Sequence, residues 1–304
     1  MRIVGTIVSL LMLISCAHAQ TRAPSSYANS FVPISFPFFK NIGQYPTVPC
    51  SIGIRVGHCI LDTGANTSEV SVNPTTNQFT SLYKSKSTSA YGERINYVVQ
   101  VPELKLGDYV VKKNFPAVRS NGYHDLPEYL AVIGADILLG MNFIFHLGKD
   151  EADPAQLILD PDVNGVEVLS FLNFGQMALD KQFISIHVSI GGERIEAIWD
   201  THFGWTGFSK KFINSHPRLF KKIGSQKNVD AAKKDGIMHM YELLQPVCIT
   251  PDTCVMPTTN VMDFEIQRLA QDGTALDVII GNNLIWQFSW YFDFKNQRFA
   301  IQSR

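Results

Sequence analysis

The chain lacks a charge surplus of either sign. Lys plus Arg number 26 and Asp plus Glu 27, a net charge of −1 at pH 7. A general nucleic-acid binder needs a basic surface to displace counterions, and an acidic solvating protein needs the opposite bias, so both classes are excluded. There is no CxxC and no Cys/His cluster with zinc-like spacing. The HExxH of metallohydrolases and the Gly-x-Ser-x-Gly elbow of serine hydrolases are missing as well, and His58, His124, His146, His187, His202, His216 and His239 are scattered. Beyond the amino terminus no apolar run reaches the ~18 residues of a membrane-spanning helix. Helical patterns are few, the best running from Ser209 to about Leu219.

What the chain does have is core material. Apolar residues make up 45% and charged residues 17%, which excludes a disordered chain. Twenty Phe, ten Tyr and four Trp favour a packed, sheet-rich globule. At about 100–200 residues per domain, the length gives two domains or one large one. From Phe31 onward, short runs of β-branched and aromatic residues are punctuated by Gly, Pro, Asn and Asp, as in SIGIRVGHCILD, YVVQVPELKL and FISIHVSIGGERIEAIWD. These runs predict a mainly β protein with minor helix.

Residues 1–19 carry one charge, Arg2, then an apolar run, then Ala17-His18-Ala19 as a small-x-small cleavage site before Gln20. This predicts a secretory signal peptide and an exported protein, periplasmic or secreted. A second reading takes Leu13-Ile14-Ser15-Cys16 as a lipobox and Cys16 as a lipid anchor. Residues 20–30 read as a loose leader, and no long pro-segment is expected. Four other cysteines, Cys50, Cys59, Cys248 and Cys254, allow three pairings. Cys50 and Cys59 flank a predicted hairpin around Ile54-Arg55, and Cys248 and Cys254 flank the turn signal Thr250-Pro251-Asp252-Thr253. Local pairing would set each couple across two antiparallel strands. Four free buried thiols are the other reading.

A repeat carries more information. Strand, turn and strand lead into Leu61-Asp62-Thr63-Gly64-Ala65, and the same order leads into Asp200-Thr201. Gly134, in Ile133-Gly134-Ala135-Asp136-Ile137-Leu138, lies 72 residues after Asp62. Gly281, in Ile280-Gly281-Asn282-Asn283-Leu284-Ile285, lies 81 residues after Asp200. An aromatic-rich stretch follows each, MNFIFHLG and WQFSWYFDF. The marks divide the chain into an N-terminal half over 31–165 and a C-terminal half over 180–304, joined near 165–180.

The Asp62-Thr63-Gly64-Ala65 motif with its later Ile-Gly resembles a lobe of an aspartic peptidase. The form with Ala65 is similar to retropepsins, and the single bilobed chain to pepsin-type enzymes. The resemblance covers most of 45–304. It implies an all-β fold of two β-barrel lobes with a central cleft and few short helices, each lobe supplying one Asp. It implies an endopeptidase, a monomer acting on extended polypeptide, with Asp62 and Asp200 as general base and acid about a shared water and no metal or organic cofactor. Two like charges a few ångström apart cannot both ionise cheaply, so one proton is shared. Thr63 and Thr201 would hold the pair coplanar, and Gly64 would let the loop turn. Tyr91 and Gly92, at the tip of a hairpin over 88–99, match the place of a flap that closes over substrate.

The second motif departs from the pattern: it reads Asp200-Thr201-His202-Phe203-Gly204. It aligns with the first best if one residue is inserted, matching Asn66-Thr67 to Trp205-Thr206. Three readings follow. The loop tolerates His202 and the enzyme works; the second lobe has decayed and the protein only binds peptide; or the second Asp is not Asp200. A protonated His202 would lower the pKa values of the dyad, whereas a neutral one would crowd the loop. Neither Ala65 nor Phe203 offers the hydroxyl that digestive relatives place after the Gly, so an optimum less acidic than theirs is expected. Asn66-Thr67-Ser68 matches a glycosylation sequon but lies in the proposed active-site loop. Lys210, Lys211, Arg218, Lys221, Lys222, Lys227, Lys233 and Lys234 read as a solvated face, and Asp136 as a loop cap.

Overall fold

The computed structural model describes residues 30–303 apart from 36–37, 40–42, 90–91, 121–128, 162–169, 181–182, 230–234 and 265–275. The signal peptide, Cys16, the leader to 29, Tyr91, His124, Lys233 and Lys234 therefore lie outside the described residues. In chain order the strands begin with β1 (Ser30–Pro33) and a ribbon of β2 (Phe38–Phe39) and β3 (Gly43–Gln44). Then come β4 (Thr47–Ile52), β5 (Arg55–Leu61), β6 (Glu69–Ser71), β7 (Ser81–Ser89), β8 (Gly92–Leu106), β9 (Tyr109–Ser120) and β10 (Tyr129–Ile133). Helix α1 (Ala135–Leu138), β11 (Phe143–His146), β12 (Gln156–Leu159), β13 (Leu172–Asn173) and α2 (Gln176–Leu179) lead into the second half. That half holds β14 (Ser185–Ile190), β15 (Glu193–Trp199), β16 (Gly207–Ser209), α3 (Lys210–Ser215), β17 (Phe220–Val229), β18 (Asp235–Leu243), β19 (Val247–Thr250) and β20 (Thr253–Val255). It ends with β21 (Val261–Phe264), β22 (Val278–Ile280), α4 (Asn282–Ile285), β23 (Phe288–Asp293) and β24 (Arg298–Ser303). The expected all-β architecture with a few short helices is what the chain adopts.

The repeat seen in the sequence is a repeat of strand order. One sheet runs β4-β5-β10-β6-β9-β8-β7, and the other carries β14-β15-β22-β16-β21-β18-β17, extended past β14 by β19 and β20. The senses match pair for pair. The first hairpin is antiparallel in each, β10 and β22 lie parallel to the strand that ends at the Asp, and β6 and β16 lie antiparallel to these inserted strands. The burial pattern explains why. Thr47–Ile52 and Ser185–Ile190 alternate identically, while the last three residues of β5 and β15 are all buried. Strands β10 and β22 are apolar and buried throughout, as parallel strands covered on both faces must be.

A third sheet, β1-β12-β11-β23-β24-β13, draws strands from both halves. The two aromatic stretches meet in it, with Phe143 opposite Phe292 and Phe145 opposite Trp290. Trp199, just before Asp200, packs edge-on to Phe145 and Trp290 at centroid distances of 5.5 and 5.6 Å. One apolar core runs from Val32 to Phe299 through both halves. The local cysteine pairing is present as Cys50–Cys59 and Cys248–Cys254. Disulfides belong to an oxidising compartment, and among the described residues no helix is long and apolar enough to cross a membrane. The helix expected from Ser209 to Leu219 breaks in two. Ser209 caps α3 by accepting the Phe212 N–H at 3.0 Å, and Pro217 then forces a separate 3₁₀ turn over Pro217–Leu219.

Candidate active site

Each Asp follows the last residue of a buried strand and is tied to the inserted strand beside it. The Asp62 N–H donates to Ile133 O at 2.9 Å, and the Asp200 N–H to Ile280 O at 3.0 Å. Beyond this the loops turn back the same way. Ala135 N–H donates to Ala65 O and Asn282 N–H to Phe203 O, both at 2.8 Å. Asp62 Oδ1 accepts the N–H groups of Gly64 and Ala65 at 3.1 and 3.0 Å, and Asp200 Oδ1 accepts that of His202 at 2.8 Å.

The anchors of the two loops also correspond. Ser68 N–H and Oγ–H both donate to Asp136 Oδ1, while Gly134 N–H donates to Ser68 Oγ. In the second half Thr206 N–H and Oγ1–H both donate to Asn283 Oδ1, while Gly281 N–H donates to Thr206 Oγ1. Ser68 and Thr206 each stand six residues after their Asp. The one-residue insertion expected in the second loop is therefore absent: Gly64 corresponds to His202, Ala65 to Phe203 and Ser68 to Thr206. Matching Asn66-Thr67 to Trp205-Thr206 aligned letters, whereas hydrogen bonds fix the register. Asp136 is a loop anchor, and its counterpart is Asn283.

The two loops are cross-linked by their threonines. Thr201 N–H donates to Thr63 Oγ1 at 3.0 Å, and Thr63 Oγ1–H donates on to Trp199 O at 2.6 Å. Reciprocally, Thr63 N–H donates to Thr201 Oγ1 at 3.3 Å, and Thr201 Oγ1–H donates to Leu61 O at 2.7 Å. Both side chains are buried, so every one of these polar groups needs its partner. Between the loops Gly64 lies so close to the Asp200 carboxylate that a Cβ there would collide with it. This close approach is what demands glycine.

Position 202 carries a side chain where its counterpart has none. His202 Nδ1 lies 3.3 Å from Asp62 Oδ2. The ring packs against Tyr45 with centroids 3.9 Å apart. Sequence reasoning missed Tyr45, which precedes β4 and is brought in when Leu61 N–H bonds Pro46 O at 2.9 Å. No local motif marks it; only the pairing of β4 with β5 could have pointed to it.

Burial sets the protonation of the group. It pushes Asp62 above the usual carboxylate range, against the pull of the Ala65 and Gly64 N–H groups. It pushes Asp200 up as well, and the charge of Asp62 adds to the rise. His202 is pushed down to about 4 by burial, with the Asp200 charge opposing, so its ring is neutral near pH 7. Tyr45 is pushed up by burial and by both carboxylates and stays a phenol.

Gly92 opens β8, whose pairing with β7 reaches Ser89 opposite Gly92, while Tyr91 lies outside the described residues. Asn66 is exposed, and its side chain accepts Thr67 Oγ1–H at 3.3 Å. Among the described residues no group of three or more His, Cys, Asp or Glu is placed to hold a metal ion. A second titratable chain, also missed in the sequence, links Ser289 to His146 Nδ1 at 3.2 Å and His146 Nε2 to Asp153 at 2.6 Å. Its buried serine hydroxyl accepts the Leu147 N–H, which makes it a link across the sheet shared by the halves. Compared with known proteins, the chain matches no family model and no curated protein sequence.

Proposed function

We propose that the protein is an exported aspartic-type endopeptidase, working as a monomer on extended polypeptide under the β7–β8 hairpin. The observation that carries the reading is the meeting of two topologically equivalent Asp loops, cross-linked by Thr63 and Thr201 and closed by Gly64 against Asp200. Carboxylates so placed, largely withdrawn from water, share one proton. The ionised member takes a proton from water as the water oxygen bonds to the peptide carbonyl carbon, and the protonated member gives its proton to the carbonyl oxygen. In the resulting diol the first carboxyl returns its proton to the nitrogen as the C–N bond breaks. A diol hydroxyl reprotonates the second carboxylate, which restores the pair.

Digestion of casein or a peptide library tests this. Cleavage that pepstatin blocks, and that is lost in both Asp62→Asn and Asp200→Asn, is the expected result; cleavage surviving either substitution refutes it. One observation favours a second reading, a peptide-binding protein without turnover: the His202 ring lies against the carboxylate that must face the water. Pepstatin binding with no cleavage would select that reading.

A further inference from the structure

We propose that His202 is a positioning residue that decides which carboxylate carries the shared proton: its Nδ1–H donates to Asp62 Oδ2, keeps Asp62 ionised as the base, and leaves the proton on Asp200. The inference rests on the peptidase reading for its consequence, but its hydrogen bond is testable without turnover.

The asymmetry comes from the repeat itself. Positions 64 and 202 are equivalent, and each faces the carboxylate of the opposite loop. From the first loop a glycine faces Asp200, with no room for even a Cβ. From the second a ring nitrogen reaches Asp62 Oδ2 at 3.3 Å. Asp62 thus has N–H donors on Oδ1 from Gly64 and Ala65 and a ring nitrogen at Oδ2. The Asp200 carboxylate is held by the N–H of His202 and faces that of Gly64, and it also lies within electrostatic reach of the His202 ring. A carboxylate with more donors is the better home for the negative charge. An ionised carboxylate only accepts, so a neutral ring meeting Asp62 there must carry its proton on Nδ1.

Among the described residues, the titratable groups placed against the ring are Asp62 at the end of β5, Asp200 at the end of β15, and Tyr45 ahead of β4. Tyr45 contributes its ring face and, as a phenol, no charge. The ring is neutral for the same reason the dyad is protonated: partial withdrawal from water penalises the charged form of each. His202 then works as a neutral donor, and the imidazolium, one of the two states weighed from the sequence, forms only in acid.

Two measurements test this on the intact protein. In nitrogen-15 histidine spectra near pH 7, His202 should be the Nδ1–H tautomer, and Asp62→Ala should shift it toward Nε2–H while Asp200→Asn leaves it. In the pH dependence of kcat/KM, His202→Gly should move the acid limb upward by about one pH unit, because Asp62 loses a donor. His202→Asn, which retains an N–H donor, should move it less. An Nε2–H tautomer in the unsubstituted protein, or an acid limb that His202→Gly leaves in place, overturns the proposal. A protein that shows the Asp62-dependent tautomer but cleaves nothing refutes the peptidase reading alone.

Discussion

At the scale of single residues, the site depends on hydroxyls that no solvent can replace. Thr63→Val removes the donor to Trp199 O and the acceptor of Thr201 N–H at once. Each buried group left unpaired costs about 1–3 kcal/mol, so Thr63→Val and Thr201→Val should each lower stability to urea by that order. Serine at either position keeps the hydroxyl and should recover most of the loss; equal losses for Val and Ser would refute the hydrogen-bond account. Asp136 gives a contrasting case. Its counterpart Asn283 makes the same two contacts with an amide oxygen, so Asp136→Asn should fold normally. Burial raises the Asp136 carboxyl above its ordinary value. The folded state therefore binds that proton more tightly, and the stability it contributes is lost as pH rises through the raised value. Thermal melts should show Asp136→Asn more stable than the parent at pH 8 and indistinguishable at pH 3. A uniform loss at both would mean the carboxylate itself is needed.

At the scale of elements, the first hairpin of each half sets the height of its Asp. Cys50–Cys59 staples β4 to β5, with both sulfurs in the core, while Cys248–Cys254 joins β19 to β20 at the sheet margin, with Cys254 exposed. The bridged separations, 9 and 6 residues, give nearly equal loop-closure terms, about 2.6 and about 2.2 kcal/mol. Any difference between the pairs must then come from burial. Alanine at both Cys50 and Cys59 should lower the melting temperature more than alanine at both Cys248 and Cys254, and only the first should reduce turnover. These hairpins were legible in the sequence because alternation, turn residues and cysteines agree within a dozen positions. The Ile-Gly marks were legible because an inserted strand buried on both faces is a run of apolar letters. The register of the second loop was not. It is set by Thr206 on Asn283 and Gly281 on Thr206, across 75 or more residues, which letters around Asp200 do not reveal. Tyr45 was hidden for the same reason, since it reaches His202 only after β4 has paired with β5.

At the scale of the whole molecule, the two repeated sheets are held in one relation by the third. Its central pair, β11 and β23, is built from the aromatic stretches that the sequence showed in each half without showing that they meet. Trp199 connects that aromatic core to the loop, since its ring packs on Phe145 and Trp290 while its carbonyl accepts from Thr63. The result is a junction in which Thr63 and Thr201 are buried and Asp62, Asp200 and His202 are largely but not fully withdrawn from solvent, and the pH response of the protein follows. Both carboxyls are raised in the folded state, so their contribution to stability is full below the unfolded value of 3.8 and falls as pH climbs through the raised values. His202 is depressed from 6.5 to about 4, so its contribution is full above 6.5 and falls as the solution is acidified toward 4. Activity that needs one ionised and one protonated carboxyl should peak well above the strongly acidic range, and an optimum near pH 2–3 would contradict the burial argument. Replacing both Asp62 and Asp200 by Asn removes the carboxyls that resist ionisation. The double variant should be inactive yet melt higher than the parent at pH 8, by about 2–4 °C for each kcal/mol regained. Below pH 4, where the parent carboxyls are already neutral, the two melts should coincide. A double variant that melts lower at pH 8 would show that the carboxylates hold the loops together by charge, and that the dyad is not the strained, proton-sharing pair that hydrolysis requires.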